Sequence, residues 1–126
     1  MFSARLAIAT AAIASAVTVG CSRNTIAAAE GISAGRAGEG RHLLYSYGCG
    51  SCHVIPGISE ATGTVGPPLA GLANRQYIAG LLVNTPENLF RWIRQPQQIE
   101  PGSAMPNLNV TEQQAHDMAA YLYTLH

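Results

Sequence analysis

The chain has 126 residues, equal numbers of acidic and basic side chains, and no lysine at all. That length allows one domain, and the neutral balance, with no cluster of cations, excludes a nucleic-acid surface. Three cysteines, Cys21, Cys49 and Cys52, cannot build a disulfide framework.

Met1 to Arg5 is a short basic start, and Leu6 to Gly20 is an unbroken run of small and apolar residues. As a helix that run would span roughly 22 Å, short of a bilayer core of about 30 Å, which is the shape of a secretory signal. Two ends compete. Val17-Thr18-Val19-Gly20-Cys21 has the form of a lipobox, giving a leader over 1–20 and a lipidated Cys21. Ala27-Ala28-Ala29 is an A-x-A site, giving a leader over 1–29. An uncleaved anchor is the third reading. All three export the remainder of the chain.

Residues 21–37 then read as a flexible tether and 38–126 as the domain, with the Gly/Ala/Ser composition of the tether running on to Gly40. In residues 30–126 five arginines (Arg36, Arg41, Arg75, Arg91, Arg94) face seven acids. A domain this short buries only about 60 to 65% of its unfolded surface, so a cofactor, a metal or a disulfide is expected to help hold it together.

Leu43, Leu44 and Tyr47 have helical spacing and predict a helix over 41–47 that runs into Gly48. Residues 57–68 read as loop, and Tyr77 to Val83 carries an ambiguous apolar run that could be strand. Thr85-Pro86-Glu87 is a helix start: a capping hydroxyl, a proline at the first helical position and an acid against the dipole. Gln95-Pro96 should stop that helix, and 101–109 is again irregular. Thr111 with Gln114 forms a capping-box pattern, followed by a stripe of Ala115, Met118, Ala119, Leu122 and Leu125. The whole predicts an all-α domain with long loops.

The chemistry lies in Cys49-Gly50-Ser51-Cys52-His53. A structural zinc site wants four ligands, usually in two pairs, and no second pair exists. A thioredoxin-type disulfide needs a βαβ framework, and the pattern offers none. Haem attachment remains. Two thiols a helical turn apart can add to the two vinyl groups of one porphyrin, and the adjacent His53 is then forced toward the iron. On the opposite face Met105 is the candidate ligand, since it sits in the irregular, proline-bounded segment EPGSAMPNL, where a thioether can project onto a flat group. Met118, on the apolar stripe, reads as core. His42, His116 or an open position are the alternatives.

The ordered set YGCGSCH, GPPLAGLANR, NLFRWIRQPQQIEPGSAMPNL and AAYLYTL, within 38–126, resembles the class I c-type cytochromes. The resemblance implies a small cytochrome c fold: three to five helices and long loops around one covalently bound haem c. It implies that the Pro67 carbonyl accepts a hydrogen bond from the His53 ring, that Arg75 and Trp92 lie near a haem propionate, and that Tyr45 and Tyr121 join the first and last helices. Gly40 departs from the pattern, lying one residue further from Cys49 than the helix-crossing glycine of many relatives. The lysine ring through which mitochondrial members dock is missing too, so a more apolar docking surface is expected.

The resulting expectation is an electron carrier, not an enzyme, working between membrane-associated respiratory or dehydrogenase partners from the periplasmic side. A fixed subunit of a larger membrane oxidoreductase is the second reading. A five-coordinate haem sensor or peroxidase-like protein is the third, should Met105 not bind.

Overall fold

The computed structural model describes residues 35–126. The leader, Cys21 and the tether as far as residue 34 lie outside the described residues. Helix α1 (Ala37–Ser46) is followed by a 3₁₀ turn (Cys49–Ser51), a long loop, and a second 3₁₀ turn (Leu72–Asn74). A hairpin of β1 (Tyr77–Ile78) and β2 (Leu82–Val83), then α2 (Pro86–Arg94), α3 (Pro96–Ile99) and α4 (Glu112–Leu122), complete the domain. Among the described residues the domain is thus built from four α-helices with one small strand pair. Among the described residues no helix is long and apolar enough to cross a membrane.

Local chemistry explains where most of these elements begin. The Thr85 side chain accepts the Asn88 backbone N–H, with Pro86 in the first turn of α2. At α4 the capping box is complete: Thr111 accepts from the Gln114 backbone, and the Gln114 side chain accepts from the Thr111 N–H. Pro96 does end α2, but it also opens α3, because a proline that cannot continue one helix suits the first turn of the next. The ambiguous run is a hairpin with Tyr77 opposite Val83 and Ile78 opposite Leu82. Ile78 is buried while Tyr77, Leu81 and Val83 are exposed.

Helix α1 starts at Ala37, inside the segment expected as tether. What recruits it is α4. A Cβ on Gly40 would lie 1.8 Å from the Asp117 carbonyl oxygen, so the two helix backbones touch there. One turn later Leu44, 3% exposed, packs into the core. Tyr45 is consequently rotated outward and 57% exposed, which corrects its expected place between the helices. The single extra residue between Gly40 and Cys49 is the cause: the crossing follows the glycine, not the distance to the cysteine. Tyr47 makes the link instead, its hydroxyl donating to Gln114 Oε1 at 2.9 Å. Tyr121 packs against the core and donates to the Pro56 carbonyl at 2.6 Å, tying α4 to the loop after the cysteines.

Asp117 sits among the apolar residues of α4 with its side chain 2% exposed. Its Oδ1 accepts the Arg36 N–H at 2.7 Å and the Gln113 amide at 3.1 Å, and Oδ2 faces the Arg36 guanidinium at 3.3 Å. A carboxylate from α4 therefore caps the start of α1, where the Arg36 side chain makes no cap of its own. Burial alone would push this carboxyl up, but the Arg36 and Gln113 hydrogen bonds and the Arg36 charge outweigh it and hold it below the ordinary value. A lowered folded-state value gives stability that is complete above the ordinary carboxylate range and is lost as pH falls through the folded value. Asp117→Asn is expected to cost about 1–2 kcal/mol at neutral pH. In thermal melts of the haem-loaded protein, the gap between the two proteins should narrow as the medium is acidified; a gap of constant width would contradict this account.

Candidate functional site

One apolar cleft, of about 550 Å³, runs through the middle of the domain. Its walls are the core itself: Leu44, Leu72, Ile78, Leu89, Ile93 and Leu122 are all buried, and all line it. The apolar side chains along such a space lack packing partners on one side, so the core is incomplete without something that fills it. A large, flat, mostly apolar group seated there would complete the core that so short a chain cannot build alone.

Cys49, Cys52, His53, Pro67, Arg75, Trp92 and Met105 all line this cleft. The 3₁₀ turn brings both thiols to one wall, and the His53 N–H bonds back to the Cys49 carbonyl at 3.0 Å. Cys49 and Cys52 are free thiols. Burial pushes Cys49 up, and Cys52 adds to this, against a backbone hydrogen bond that lowers it. An attacking thiol of a disulfide exchanger is lowered, not raised, and the strand pair is an antiparallel hairpin, not a βαβ unit. Among the described residues no three His, Cys, Asp or Glu side chains gather as a cage for a bare metal ion.

His53 Nδ1 lies 2.8 Å from the Pro67 carbonyl oxygen. A carbonyl only accepts, so Nδ1 carries the proton and the Nε2 lone pair remains free to bind a metal. The ring reaches this position because residue 66 is glycine: a Cβ there would come within 2.3 Å of His53 Cε1. The Gly66 N–H in turn donates to the Cys52 carbonyl at 2.8 Å, closing the loop onto the cysteine turn.

Arg75 sits near the mouth, its guanidinium donating to the Pro68 carbonyl and, at 3.0 Å, to the Ala70 carbonyl. These bonds hold the group in place and leave further N–H donors for an anion. Asn84 supports the same corner, donating to the carbonyls of Leu72 at 2.8 Å and Arg75 at 2.9 Å while accepting from the Tyr123 hydroxyl at 2.9 Å. Burial, with Glu87 nearby, pushes Tyr123 up to about 12, so the hydroxyl stays a donor at any working pH. Neither Asn84 nor Tyr123 can be picked out from the sequence, because nothing local marks them.

Met105 is half-buried in the segment after α3, and Gln97 braces that segment. The Gln97 amide donates to the carbonyls of Ser103 at 2.6 Å and Met105 at 2.7 Å, and its oxygen accepts the Gly102 N–H at 3.1 Å. Met118 also lines the cleft, 1% exposed on α4. His42 and His116 are not among the lining residues: His42 is exposed on α1, and the His116 ring packs on Phe90 with centroids 3.9 Å apart.

Against this geometry, the sequence profile of the cytochrome c family matches residues 37–126. The chain is 35% identical over 101 residues to cytochrome c2 of Rhodopila globiformis, covering 69% of this chain and 91% of that protein. It is 37% identical over 90 residues to cytochrome c oxidase subunit 2 of Alkalihalophilus pseudofirmus, covering 71% of this chain and 25% of that protein. To cytochrome c oxidase subunit 2 of Bacillus sp. (strain PS3) it is 31% identical over 86 residues, covering 65% of this chain and 24% of that protein. The chain therefore spans about a quarter of the length of these oxidase subunits. The family's cofactor is covalently bound haem c, the apolar cleft with two free thiols on its wall suits such a group, and the chain belongs to the cytochrome c family.

Proposed function

We propose that the chain carries single electrons through one haem c, which Cys49 and Cys52 would hold by thioethers and His53 and Met105 would ligate. The observation that carries this reading is the meeting of an imidazole with a free Nε2 and a thioether in the same cleft as the cysteine pair. When bound, the haem supplies the one-electron chemistry. The chain's own residues do the rest. Pro67 fixes the tautomer and orientation of His53 and raises its basicity. Met105, a soft ligand, favours the reduced iron and raises the potential relative to a second histidine. With His53 and Met105 both ligating, no position would be left for a substrate, which favours a carrier over a sensor or peroxidase. Arg75, already held by two carbonyls, and the indole N–H of Trp92 are assigned to the propionates.

The partner surface follows from the mouth of the cleft. Val65 and Tyr77 both line it and are 70% and 55% exposed. Arg75 and Glu100 are the charged residues in the lining. With so few charges the encounter rests on apolar contact and owes little to long-range steering. Membrane-associated redox proteins are the proposed donors and acceptors, and similarity to oxidase subunits makes an oxidase the favoured acceptor. The same similarity supports a second reading, in which the chain is a fixed subunit of such a complex. From its leader the protein is assigned to the periplasmic side, anchored by lipid on Cys21.

Intact-mass and peptide mass spectrometry of denatured, exported protein tests both assignments at once. Expected are a haem mass that stays on the peptide containing Cys49 and Cys52 after acid-acetone extraction, and an N-terminal peptide starting at lipidated Cys21. Haem released by extraction would remove the central assignment, whereas an unmodified start at Glu30 would remove only the anchor.

A further inference from the structure

We infer that Gln97 is the positioning residue of the methionine side of the site: its carboxamide sets the backbone of residues 102–105 and so holds the Met105 thioether toward the cleft. This rests on the reading of Met105 as an iron ligand and adds to it the group that makes that ligand a strong one.

A methionine on an irregular segment is by itself a poor ligand. Its side chain has three rotatable bonds, and its backbone lies in no helix or strand that would fix its direction. Gln97 supplies the missing rigidity. It stands in the first turn of α3, a four-residue helix opened by the buried Pro96. Both amide hydrogens are used, on the carbonyls of Ser103 and Met105, and the amide oxygen takes the Gly102 N–H. The Gln97 backbone N–H reaches Asn107 Oδ1 at 3.4 Å, and the Met105 N–H reaches Ser103 Oγ at 3.3 Å. The Gln97 side chain thus ties down residues 102, 103 and 105, and its backbone N–H adds a contact just beyond them at Asn107.

Only a carboxamide of this length serves. Two carbonyl oxygens require two donors and one N–H requires an acceptor, a set that glutamate, with acceptors alone, cannot supply. Gln97→Glu keeps the shape but turns a carboxylate oxygen toward the carbonyls of Ser103 and Met105. Gln97→Ala removes the brace without repulsion. In both, Met105 has more conformations to give up when it binds, so an external ligand competes with it more easily.

The test uses the full-length, haem-loaded protein, with two readouts taken well below its melting temperature: the weak sulfur-to-iron band of the oxidised form and the carbon monoxide affinity of the reduced form. Relative to wild type, Gln97→Glu and Gln97→Ala are expected to weaken the band and raise the affinity about tenfold, the loss of one net hydrogen bond's worth of preorganisation. Gln98→Ala, a neighbouring exposed position, should leave both unchanged. Should Gln97→Glu fail to mature, Gln97→Ala decides alone. Gln97 variants that melt earlier but keep the wild-type band and affinity would overturn the positioning role while leaving the ligand reading intact. No change in Met105→Ala would overturn the ligand reading itself, and this inference with it.

Discussion

Replacing Met105 with alanine is expected to abolish the sulfur-to-iron band of the oxidised protein and to raise carbon monoxide affinity of the reduced form on the order of a hundredfold, since each factor of ten needs only about 1.4 kcal/mol of lost internal competition. The potential should fall as well, because the soft ligand that favours the reduced iron is gone. Haem should stay attached, since Cys49 and Cys52 are untouched. The competing assignment is concrete. Met118 lines the same cleft, but it is 1% exposed on α4, packed within the core that carries the α1 crossing. Its side chain is therefore held among core residues of a helix, whereas Met105 stands on a braced segment with no helix of its own. Met118→Leu is expected to keep the band and lose only stability. The opposite pattern, a lost band in Met118→Leu and an intact one in Met105→Ala, would exchange the two assignments.

What is legible in the sequence is what is decided locally. Thr85 and Thr111 announce their helices because a cap, its proline or its box partner lie within a few residues. The cysteine pair and His53 are legible for the same reason: one turn brings them to one wall. The place of Met105 on the cleft is legible through its flanking prolines. The features that escape depend on residues far apart in the chain. Asp117 looks like a solvated acid on a helix, and only the approach of Arg36, 81 positions away, makes it a buried cap. Gln97 and Asn84 are polar residues with nothing nearby to mark them, and their meaning lies in the carbonyls they meet across loops. Tyr45 is misplaced when its position is inferred from distance to Cys49, because the helix pairing is set by Gly40. An insertion of one residue rotates a helical side chain by about 100°, enough to turn it from core to solvent.

That dependence on Gly40 gives the largest expected effect on folding. Residue 40 is the point where α1 meets the backbone of α4, and this pair is the most extensive helix contact in the domain. A Cβ there would stand 1.8 Å from the Asp117 carbonyl oxygen and 2.9 Å from the Met118 nitrogen. Both obstacles are helix backbone, which cannot rotate away as a side chain can. The helices must separate, and with them go Leu44 on one side, Met118 on the other and the Arg36–Asp117 cap between them. Alanine would by itself favour the helix over glycine by up to about 1 kcal/mol, but overpacking of this kind costs about 1–3 kcal/mol or more. Gly40→Ala should therefore be destabilising, and Gly40→Val, larger and β-branched, should cost about 3 kcal/mol or more. For a domain of this size each kcal/mol lowers the melting temperature by roughly 4–8 °C, so the valine protein should melt at least about 12 °C early or fail to retain haem. Gly38 provides the contrast on the same helix, since a Cβ there meets nothing within 4 Å. Gly38→Ala is expected to raise the melting temperature slightly through helix propensity alone. Equal melting of the Gly40→Ala and Gly38→Ala proteins, compared side by side in their haem-loaded forms, would mean that the helix crossing does not depend on the glycine.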